Sequence, residues 1–388
     1  MSTQKHSNNF SPLTFVYIIN VDWYFDLHWL QRALATQKTG FVVHLIMDFT
    51  DDTLLLHLRE LGFICHTWTV DRKSINPFNN FKAAYQLYGH LRSIGPDIVH
   101  AITIKPNIYT GLIAYLFNFP FVLSITGTGT VFSGQSVVIK LIKPFIRLIY
   151  KALKSGQNRR RIIFENSEDL HYFVNTKLCA ADEAVLILGA GVNTEIYKAV
   201  AEPLTDKTII LFAARLLWDK GLGDLVEATK LLRAQGLSVE VQVAGIMDHA
   251  TMSAIPESVL EQWHSEGLIN WLGTVKNMPD LIAQANIVVL PTFYGEGVPR
   301  ILIEASASQR AIVTTDMPGC RELVKQGVNG LLVPPQNVAE LANALSQLIN
   351  DPALREKMGK QGRNIVEQSY AEQQVITQTL SIYTELLH

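Results

Sequence analysis

Two glutamates eight residues apart stand out in this 388-residue chain as a pair that could do chemistry. Glu296 lies in the stretch FYGEGVPR, and Glu304 lies in the apolar run ILIEA that follows. Gly295 and Gly297 flank Glu296, and glycines let the backbone approach a ligand closely. A carboxylate among apolar side chains is costly to bury unless a partner or a hydroxyl-rich ligand donates to it. The spacing therefore predicts a polyol site at residues 296–304.

The same stretch also predicts an anion site. The run ANIVVLP (285–291) is typical of a buried strand, so residues 293–297 follow its C-terminal end, where open α/β sheets bind ligands. Pro299 suits the first position of a helix, whose N-terminus would present free N–H groups and a positive dipole end. The alternative interpretation is that Glu296 only caps this helix and that Glu304 is exposed.

Arg215 and Lys220 form a second candidate site. Both lie in the loop ARLLWDKG, which follows the strand-like run TIILFAAR (208–215). Two cations beside a helix N-terminus suit a diphosphate, although solvated surface cations are the alternative. A diphosphate clamp together with polyol-binding carboxylates indicates a nucleotide-sugar. No D-x-D triplet occurs in the sequence, so we expect neither a metal ion held by that motif nor another cofactor.

Short apolar runs alternate with helix-like segments and would position these residues. In the first half the predicted strands are 15–20, 41–47, 97–102, 120–126 and 161–166, and in the second half they are 208–215, 238–245, 269–273, 285–291, 310–315 and 330–334. Helical patterns lie between them, for example over Asp26–Gln37 and Asn80–Ser93. This alternation predicts an α/β fold of two Rossmann-like, doubly wound domains. A polar stretch with a proline, 197–207, predicts the boundary between the domains.

The composition excludes several classes of protein. The chain is 48% hydrophobic and 18% charged, which is typical of a globular protein, and its net charge of −2 does not favour a polyanion binder. Cys65, Cys179 and Cys320 are widely spaced and predict buried thiols in a reducing compartment, with a disulfide or zinc site as the alternative. We expect no signal peptide and no membrane span, because the polar N-terminus has no apolar core and no long uncharged apolar run occurs.

A basic segment is the clearest feature outside the two candidate sites. Residues 131–161 contain eight basic residues and no acid. Five of the basic residues recur every three or four positions, and they are Lys140, Lys143, Arg147, Lys151 and Lys154. This pattern predicts an amphipathic helix suited to an anionic membrane surface, with an ordinary solvated helix face as the alternative. A nucleic-acid partner is not favoured, because no nucleic-acid reading module accompanies the run.

The ordered set of motifs resembles a known family over nearly the whole chain. The motifs are DIVHAITIKPNIYTGLIA (97–114), ITGTGTVFS (125–133), IIFENSED (162–169), GAGVNTEIY (189–197), WLGTVKNMPDLI (271–282), EGVPRILIEA (296–305) and VTTDMPGCRELVKQGVNGLLVPP (313–335). Together they resemble the retaining family 4 glycosyltransferases of the GT-B fold. Within that family they resemble a bacterial subgroup that builds capsule, O-antigen or related glycans on polyprenyl diphosphate.

The resemblance implies roles for the donor-side residues. Glu304 would bind the ribose hydroxyls, and Glu296 would hold the donor hexose. Arg215 and Lys220 would neutralise the diphosphate leaving group. Backbone contacts to the donor are implied for two short stretches, of which one faces the hexose (Gly297, Val298, Pro299 and Arg300) and the other faces the base (Gly273 and Thr274).

The resemblance also implies an acceptor side in the first domain. Asp22, Trp23 and His28 would face the cleft opposite the donor, and Lys105 would help to bind the acceptor diphosphate. Thr126 stands where many family members carry a histidine, so no histidine base is identified. A retaining reaction in which the leaving phosphate accepts the acceptor proton needs no base from the protein.

The family pattern implies three parts of the chain. Residues 1–200 would form an acceptor- and membrane-facing domain, residues 201–370 a nucleotide-sugar-binding domain, and residues 371–388 a C-terminal helix that crosses back to the first domain. His100 ends a predicted strand, and a hydrogen-bonded core position is favoured for it over a place in the cleft.

The expected function is that of a peripheral, metal-independent, retaining glycosyltransferase on the inner face of the bacterial cytoplasmic membrane. It would move N-acetylgalactosamine or another N-acetylhexosamine from a UDP-sugar to an undecaprenyl-diphosphate-linked sugar. The alternatives are a nucleotide-sugar 2-epimerase on the same fold and a catalytically silent, membrane-bound binding protein. Redox chemistry with NAD is not favoured, because no G-x-G-x-x-G follows a predicted strand.

Overall fold

The computed structural model describes residues 12–70, 76–117, 119–127, 144, 147–151, 159–248, 251 and 253–388. The chain divides into two compact units. Unit 1 comprises Met1–Ser124, Leu148–Ile163 and Gln378–His388, and unit 2 comprises Ile125–Arg147 and Phe164–Thr377. The three parts predicted from the sequence, with limits at residues 200 and 370, stay predictions.

The first sheet has seven strands in the order β3-β2-β1-β4-β5-β6-β7. Its strands are β1 Thr14–Val21, β2 Val42–Asp48, β3 Ile64–Thr67, β4 Ile98–Ile102, β5 Phe121–Ile125, β6 Arg160–Phe164 and β7 Ala184–Leu186. The central strand β1 pairs in parallel with both β2 and β4, so that Phe15 lies opposite Val43 and Ile98. Strands β4 and β5 are buried throughout, as expected for parallel strands covered on both faces.

The second sheet has six strands in the order β10-β9-β8-β11-β12-β13. Its strands are β8 Thr208–Ala213, β9 Val239–Ala244, β10 Asn270–Gly273, β11 Ile287–Leu290, β12 Ala311–Thr315 and β13 Gly330–Val333. All five neighbouring pairs are parallel. The strand order reverses between β8 and β11, and the crevice at such a switch point is where doubly wound sheets bind ligands.

Helices connect the strands of both sheets. They are α1 Asp22–His28, α2 Leu30–Lys38, α3 Asp52–Glu60, α4 Pro77–Ile94, α5 Ile104–Phe117, α6 Ser167–Asn175, α7 Leu222–Ala234, α8 Glu257–Ser265, α9 Met278–Ala283, α10 Arg300–Ala307, α11 Pro318–Leu323, α12 Val338–Asn350, α13 Pro352–Ser369 and α14 Glu372–Leu387. A 3-10 turn spans Trp218–Lys220, and residues 147–151 are also helical.

The predicted α/β fold with two Rossmann-like sheets is confirmed, and each of the eleven predicted strands is present. Two strands were missed. β3 is a short run in which no residue is buried, and β7 has only three residues, so neither shows the apolar pattern of a buried strand. The helix predicted over Asp26–Gln37 is two helices, because the backbone leaves the helical region at Trp29.

Two further expectations can be compared with the structure. Cys65, Cys179 and Cys320 are free thiols, and Cys179 and Cys320 are buried as predicted, whereas Cys65 on the edge strand β3 is only half-buried. Across the described residues, no helix combines the length and the apolar composition that crossing a bilayer requires.

Candidate active site

An ion pair between a buried lysine and a half-buried glutamate lies where the strand order of the second sheet reverses. Lys220 ends the 3-10 turn that follows β8, and Glu296 lies in the loop that follows the neighbouring strand β11. The Lys220 Nζ atom is 2.5 Å from Glu296 Oε2, and only 6% of the lysine side chain is exposed. Burial lowers the pKa of Lys220, and the Glu296 carboxylate acts against that change. The solvated-cation alternative is therefore wrong for Lys220.

Polar and aromatic neighbours hold this pair in place. The Thr292 hydroxyl lies 3.2 Å from Glu296 Oε1 and 3.1 Å from the carbonyl oxygen of Asp219, so it bridges the two loops. Lys220 Nζ is 5.2 Å from the centroid of the Tyr294 ring, a distance that allows a cation–π contact. The lysine therefore has little freedom to move away from Glu296.

Arg215 brings a second cation to the same edge of the sheet. Its guanidinium carbon is 5.9 Å from the centroid of the Tyr294 ring, and its Nη1 atom is 3.3 Å from Asp248 Oδ2. About 29% of the Arg215 side chain remains exposed. Lys220 and Arg215 thus both lie near the Tyr294 ring, and the more exposed guanidinium retains donors that an anion can reach.

Glu304 is buried, and two side chains donate to it. Only 5% of the residue is exposed, so the alternative of a solvent-exposed Glu304 is wrong. The Glu304 Oε1 atom accepts a hydrogen bond from Arg300 Nε at 2.7 Å and another from the Tyr197 hydroxyl at 2.7 Å. Burial, and then the charge of Glu304, raise the pKa of Tyr197 well above its usual value, so the phenol keeps the proton that it donates.

Arg300 has a role that the sequence did not indicate. It was expected to contribute its backbone to the donor site, but its guanidinium forms an ion pair with Glu304 one helical turn further on. Burial is the largest single effect and acts to lower the pKa of Arg300, but the charge and the hydrogen bond of Glu304, together with Tyr197, outweigh it, so that the pKa is raised. Glu304 is therefore held by a permanently charged donor and by a neutral one.

The loop that links the two glutamates is tightly packed. The Gly297 N–H donates to the carbonyl oxygen of Thr126 at 3.1 Å. A side chain at Gly319 would place its Cβ 1.4 Å from the Gly297 carbonyl oxygen. At Gly127, which has a φ of +107°, a Cβ would lie 2.5 Å from the Gly297 nitrogen. Only glycine fits at these two positions, and the contacts fix the backbone next to Glu296.

The remaining predicted donor residues also lie at the C-terminal edge of the second sheet. Val298 is buried, and Pro299 immediately precedes α10, within one residue of its predicted position. Gly273 ends β10, and its carbonyl oxygen accepts from the Gly245 N–H at 2.9 Å. Thr274 lies next to it, with its hydroxyl 3.4 Å from the carbonyl oxygen of Gly245.

Asp22 has a structural role, which corrects the prediction that it faces the acceptor. The residue is fully buried, and its Oδ2 atom accepts from the backbone N–H groups of Thr50 and Asp51 at 2.7 and 3.0 Å. Its Oδ1 atom accepts from the Trp23 N–H and from the Thr50 hydroxyl, each at 2.8 Å. Four donors occupy the carboxylate, which ties the start of α1 to the loop after β2.

The other predicted acceptor residues are more accessible. Trp23 and His28 are half-buried, and their rings contact the Tyr24 ring at centroid distances of 5.8 and 4.4 Å. Lys105 is half-buried and donates to Asn80 Oδ1 at 3.2 Å. The acceptor roles of Trp23, His28 and Lys105 stay predictions.

His100 is a hydrogen-bonded core residue, as favoured from the sequence. It is fully buried, with Nδ1 2.7 Å from the Tyr383 hydroxyl and Nε2 2.8 Å from the Ser124 hydroxyl. Burial, with a smaller effect of Arg32, lowers the pKa of His100 well below its usual value. A neutral, buried and doubly bonded imidazole is not placed to act as a base on a ligand.

Only part of the predicted membrane helix can be compared with the structure. Lys140, Lys143 and Lys154 lie outside the described residues. Arg147 and Lys151 lie on the helical stretch 147–151, where Lys151 is exposed and Arg147 is half-buried. The Arg147 guanidinium carbon is 5.8 Å from the centroid of the Tyr172 ring, so Arg147 rests against an aromatic side chain.

Among the described residues, no group of three or more histidine, cysteine, aspartate or glutamate side chains is arranged to hold a metal ion.

Several residues of the site were missed from the sequence, and they are Tyr197, Thr292, Tyr294 and Asp248. Two of them stood in motifs already singled out, since Tyr197 ends GAGVNTEIY and Tyr294 belongs to FYGEG. An aromatic residue with a polar tip inside a ligand-binding motif is the signal that could have identified both. Asp248 shows no such signal, because its contact with Arg215 depends on two loops meeting.

Two protein families match this chain, one in its first half and one in its second half. Residues 193–365 match the family "Glycosyl transferases group 1", and residues 15–166 match the family "Glycosyl transferase 4-like". The chain therefore contains a domain of each of these two glycosyltransferase families, and it has the GT-B fold.

Two curated relatives match along most of their length. The N,N'-diacetylbacillosaminyl-diphospho-undecaprenol alpha-1,3-N-acetylgalactosaminyltransferase of Campylobacter jejuni is 25% identical, and the match covers 85% of this chain and 88% of that protein. The capsular polysaccharide biosynthesis glycosyltransferase CapM of Staphylococcus aureus is also 25% identical, over 85% of this chain and 92% of the relative.

Solved structures show the same fold. A glycosyltransferase from Rickettsia africae superposes with a TM-score of 0.75 at 20% identity, over 97% of this chain and 99% of that chain. The Anabaena protein Alr3699/HepE, crystallised in complex with UDP, superposes with a TM-score of 0.75 at 17% identity, over 96% of this chain and 100% of that chain.

Proposed function

We propose that this glycosyltransferase moves an N-acetylhexosamine, N-acetylgalactosamine first among the candidates, from UDP to an undecaprenyl-diphosphate-linked sugar. The product would belong to capsule, O-antigen or related glycan synthesis. The donor side of the proposal is supported by the ion pair between buried Lys220 and half-buried Glu296, and by the buried Glu304 eight residues after Glu296. The choice of sugar and acceptor is supported by the printed activity of the Campylobacter jejuni relative.

The donor would bind across the C-terminal edge of the second sheet. Both donors to Glu304 engage its Oε1 atom, so Oε2 is the oxygen assigned to the ribose hydroxyls. Glu296 would accept hydrogen bonds from hydroxyls of the donor sugar. The diphosphate would lie near Arg215 and Lys220, whose charges suit it. The free N–H groups at the start of α10 would add to the same anion site.

The chemical step follows from where charge develops. The bond between the anomeric carbon and the UDP oxygen breaks, and negative charge builds on the diphosphate, where Arg215 and Lys220 stabilise it. The acceptor hydroxyl oxygen bonds to the anomeric carbon on the face that the diphosphate leaves, so the anomeric configuration is retained. The acceptor proton passes to an oxygen of the leaving phosphate. No protein base is required, which fits the histidine-to-threonine change at Thr126.

The acceptor would approach from the bacterial cytoplasmic membrane. We assign Trp23, His28 and Lys105 to the acceptor side. We assign the basic face of residues 140–154 to the anionic inner surface, where a lipid-linked sugar is found. Removing the charges of Lys143, Arg147 and Lys151 should weaken salt-sensitive binding to anionic vesicles. Unchanged vesicle binding would remove this basic face from the proposal.

A donor panel tests the proposed reaction. The purified protein is mixed with UDP-GalNAc, UDP-GlcNAc, UDP-Gal, UDP-Glc or GDP-Man and a polyprenyl-diphosphate-linked sugar, with and without EDTA, and products are identified by mass. We expect one added N-acetylhexosamine that survives EDTA, and NMR of the product should show the donor's anomeric configuration. Isomerised UDP-sugar without lipid product would favour the epimerase, and bound but unchanged donor would favour the silent binder.

A further inference from the structure

A row of exposed aromatic side chains crosses helices α4 and α5 of unit 1. On α4, Phe78, Phe81 and Tyr85 are 84%, 73% and 68% exposed, and their spacing places them on one helical face. The Phe81 and Tyr85 rings stack with centroids 6.5 Å apart, and Tyr85 and Tyr88 stack at 6.3 Å. These contacts form a continuous aromatic strip along α4.

The strip continues onto α5. The Tyr88 ring contacts the Phe117 ring at 5.1 Å, and Leu112 and Leu116 of α5 are 45% and 70% exposed. Isolated exposed apolar residues are normal, but a connected set of this size marks a surface that meets something apolar. We call the set formed by Phe78, Phe81, Tyr85, Tyr88, Leu112, Leu116 and Phe117 the aromatic strip.

The charges around the aromatic strip indicate what covers it. Helices α4 and α5 contain no acidic residue, whereas Lys82 and Arg92 are exposed on α4. The bias extends along the sequence, because residues 72–164 contain thirteen lysines and arginines and one acid, Asp97. The whole chain has a net charge of −2, so the positive charge is concentrated in this part. Asp97 is occupied within unit 1, since it accepts from the Thr14 N–H at 2.7 Å.

From this combination we infer that the aromatic strip docks on the surface of an anionic lipid bilayer. Phenylalanine and tyrosine rings enter the boundary between headgroups and acyl chains, and neighbouring lysines and arginines attract anionic headgroups. A second copy of the chain suits the surface less well, because pairing this face with itself would bring two positive regions together. The aromatic strip would supply the apolar part of membrane binding.

Vesicle sedimentation tests the docking surface without donor, acceptor or glycan lipid, so its result does not depend on the proposed reaction. We expect the protein to sediment with vesicles of phosphatidylglycerol and phosphatidylethanolamine, to bind phosphatidylcholine vesicles less, and to lose affinity at high salt. The variant F78S/F81S/Y85S keeps every charge and should bind about tenfold more weakly or worse. The variant F81W/Y85W keeps interfacial aromatic rings and should retain binding.

A matched variant and a measurement of mass complete the test. L56S/L204S/V328S removes three exposed apolar side chains outside the aromatic strip and should bind like the unmodified protein. Equal binding by F78S/F81S/Y85S and the unmodified protein, or no binding to anionic vesicles at all, would overturn the inference. Light scattering that shows a dimer for the unmodified protein and a monomer for F78S/F81S/Y85S would overturn it as well, since a second copy would then cover the strip.

Discussion

Two polar regions of this protein differ in charge, because one in unit 1 consists of neutral groups and one in unit 2 contains ion pairs. In unit 1, the Tyr383 hydroxyl lies 3.0 Å from the Tyr17 hydroxyl and 2.7 Å from His100 Nδ1, and Ser124 completes the network. Burial raises the pKa of Tyr383 and lowers that of His100, so each of these groups is neutral. In unit 2, the buried Lys220 and the buried Glu304 are charged, and each forms an ion pair with a half-buried partner, Glu296 and Arg300 respectively.

We use this difference in charge to distinguish polar groups that stabilise the fold from polar groups that would bind a ligand. A neutral network whose members satisfy one another loses little on burial and fixes the packing around it. A buried ion pair is weak evidence for stability, because the desolvation of both charges offsets their attraction. We therefore interpret these two ion pairs as groups kept for a charged, hydroxyl-rich donor.

The largest effect is expected for Lys220→Ala. The change removes the cation nearest Glu296, and kcat/KM should fall by about 10²- to 10³-fold, the scale for loss of one preorganised electrostatic group. Steady-state kinetics on the transferase reaction measure it. Lys230→Ala is the matched control, because Lys230 forms an exposed pair with Glu227 on α7. Equal kcat/KM values for the two variants would remove Lys220 from the mechanism.

Glu304→Gln should weaken the donor site by about 10- to 100-fold in the KM for UDP-sugar, as expected for loss of a charged hydrogen-bond acceptor. Isothermal titration with UDP checks the same effect without turnover. Glu356→Gln is the control, since Glu356 is exposed and pairs with Lys360 on one helix. Donor affinity that does not change in Glu304→Gln would contradict the ribose assignment.

Tyr197→Phe should raise the KM for UDP-sugar about fivefold with little change in kcat, because one neutral hydrogen bond to Glu304 is lost. Tyr370→Phe removes another largely buried hydroxyl, which donates to the Glu322 carbonyl oxygen at 3.2 Å, and it should leave KM unchanged. If both variants raise KM equally, Tyr197 acts through general stability and not through the orientation of Glu304.

Tyr383→Phe should change the stability of the protein and not its use of the donor, in contrast to the unit 2 variants. It removes hydrogen bonds to Tyr17 and His100, so the free energy of unfolding should fall by about 1–3 kcal/mol. The KM for UDP-sugar should stay the same. Chemical denaturation followed by circular dichroism measures the first effect. A change in donor KM without a change in stability would contradict the structural role of the unit 1 network.

The pH dependence of the free energy of unfolding gives a further test of unit 1, through His66. Burial first, and then His44 and His90, lower the pKa of His66 to about 4, and His66 Nε2 lies 2.9 Å from His44 Nδ1. Between pH 6.5 and about 4 the unfolded chain therefore binds more protons than the folded one at this residue. The free energy of unfolding should fall as the pH falls through this window.

His66→Gln should make that decline less steep, as measured by denaturation at several pH values. The remaining slope should persist because His100 is also kept neutral in the folded protein. A slope in His66→Gln as steep as in the unmodified protein would show that His66 takes up its proton without cost to the fold.

Local sequence patterns were enough for the fold and for the main site residues. Buried parallel strands show continuous apolar runs, which is why β8 and β11 and the loops after them could be located. Because ligands bind where such strands end, Arg215, Lys220 and Glu296 could be proposed as neighbours at one edge of the second sheet without the structure. The half-exposed β3 and the short β7 lack that pattern, and they became visible only through their pairing with neighbouring strands.

The partners of each buried charge were decided by tertiary structure. The sequence itself determined that Glu304 stands in an apolar helix and needs a donor. It did not determine that this donor would include Tyr197, which lies 107 residues away, or that four donors would occupy Asp22. Such contacts depend on how loops that are distant in the sequence come together at one edge of a sheet, and no local sequence pattern predicts this.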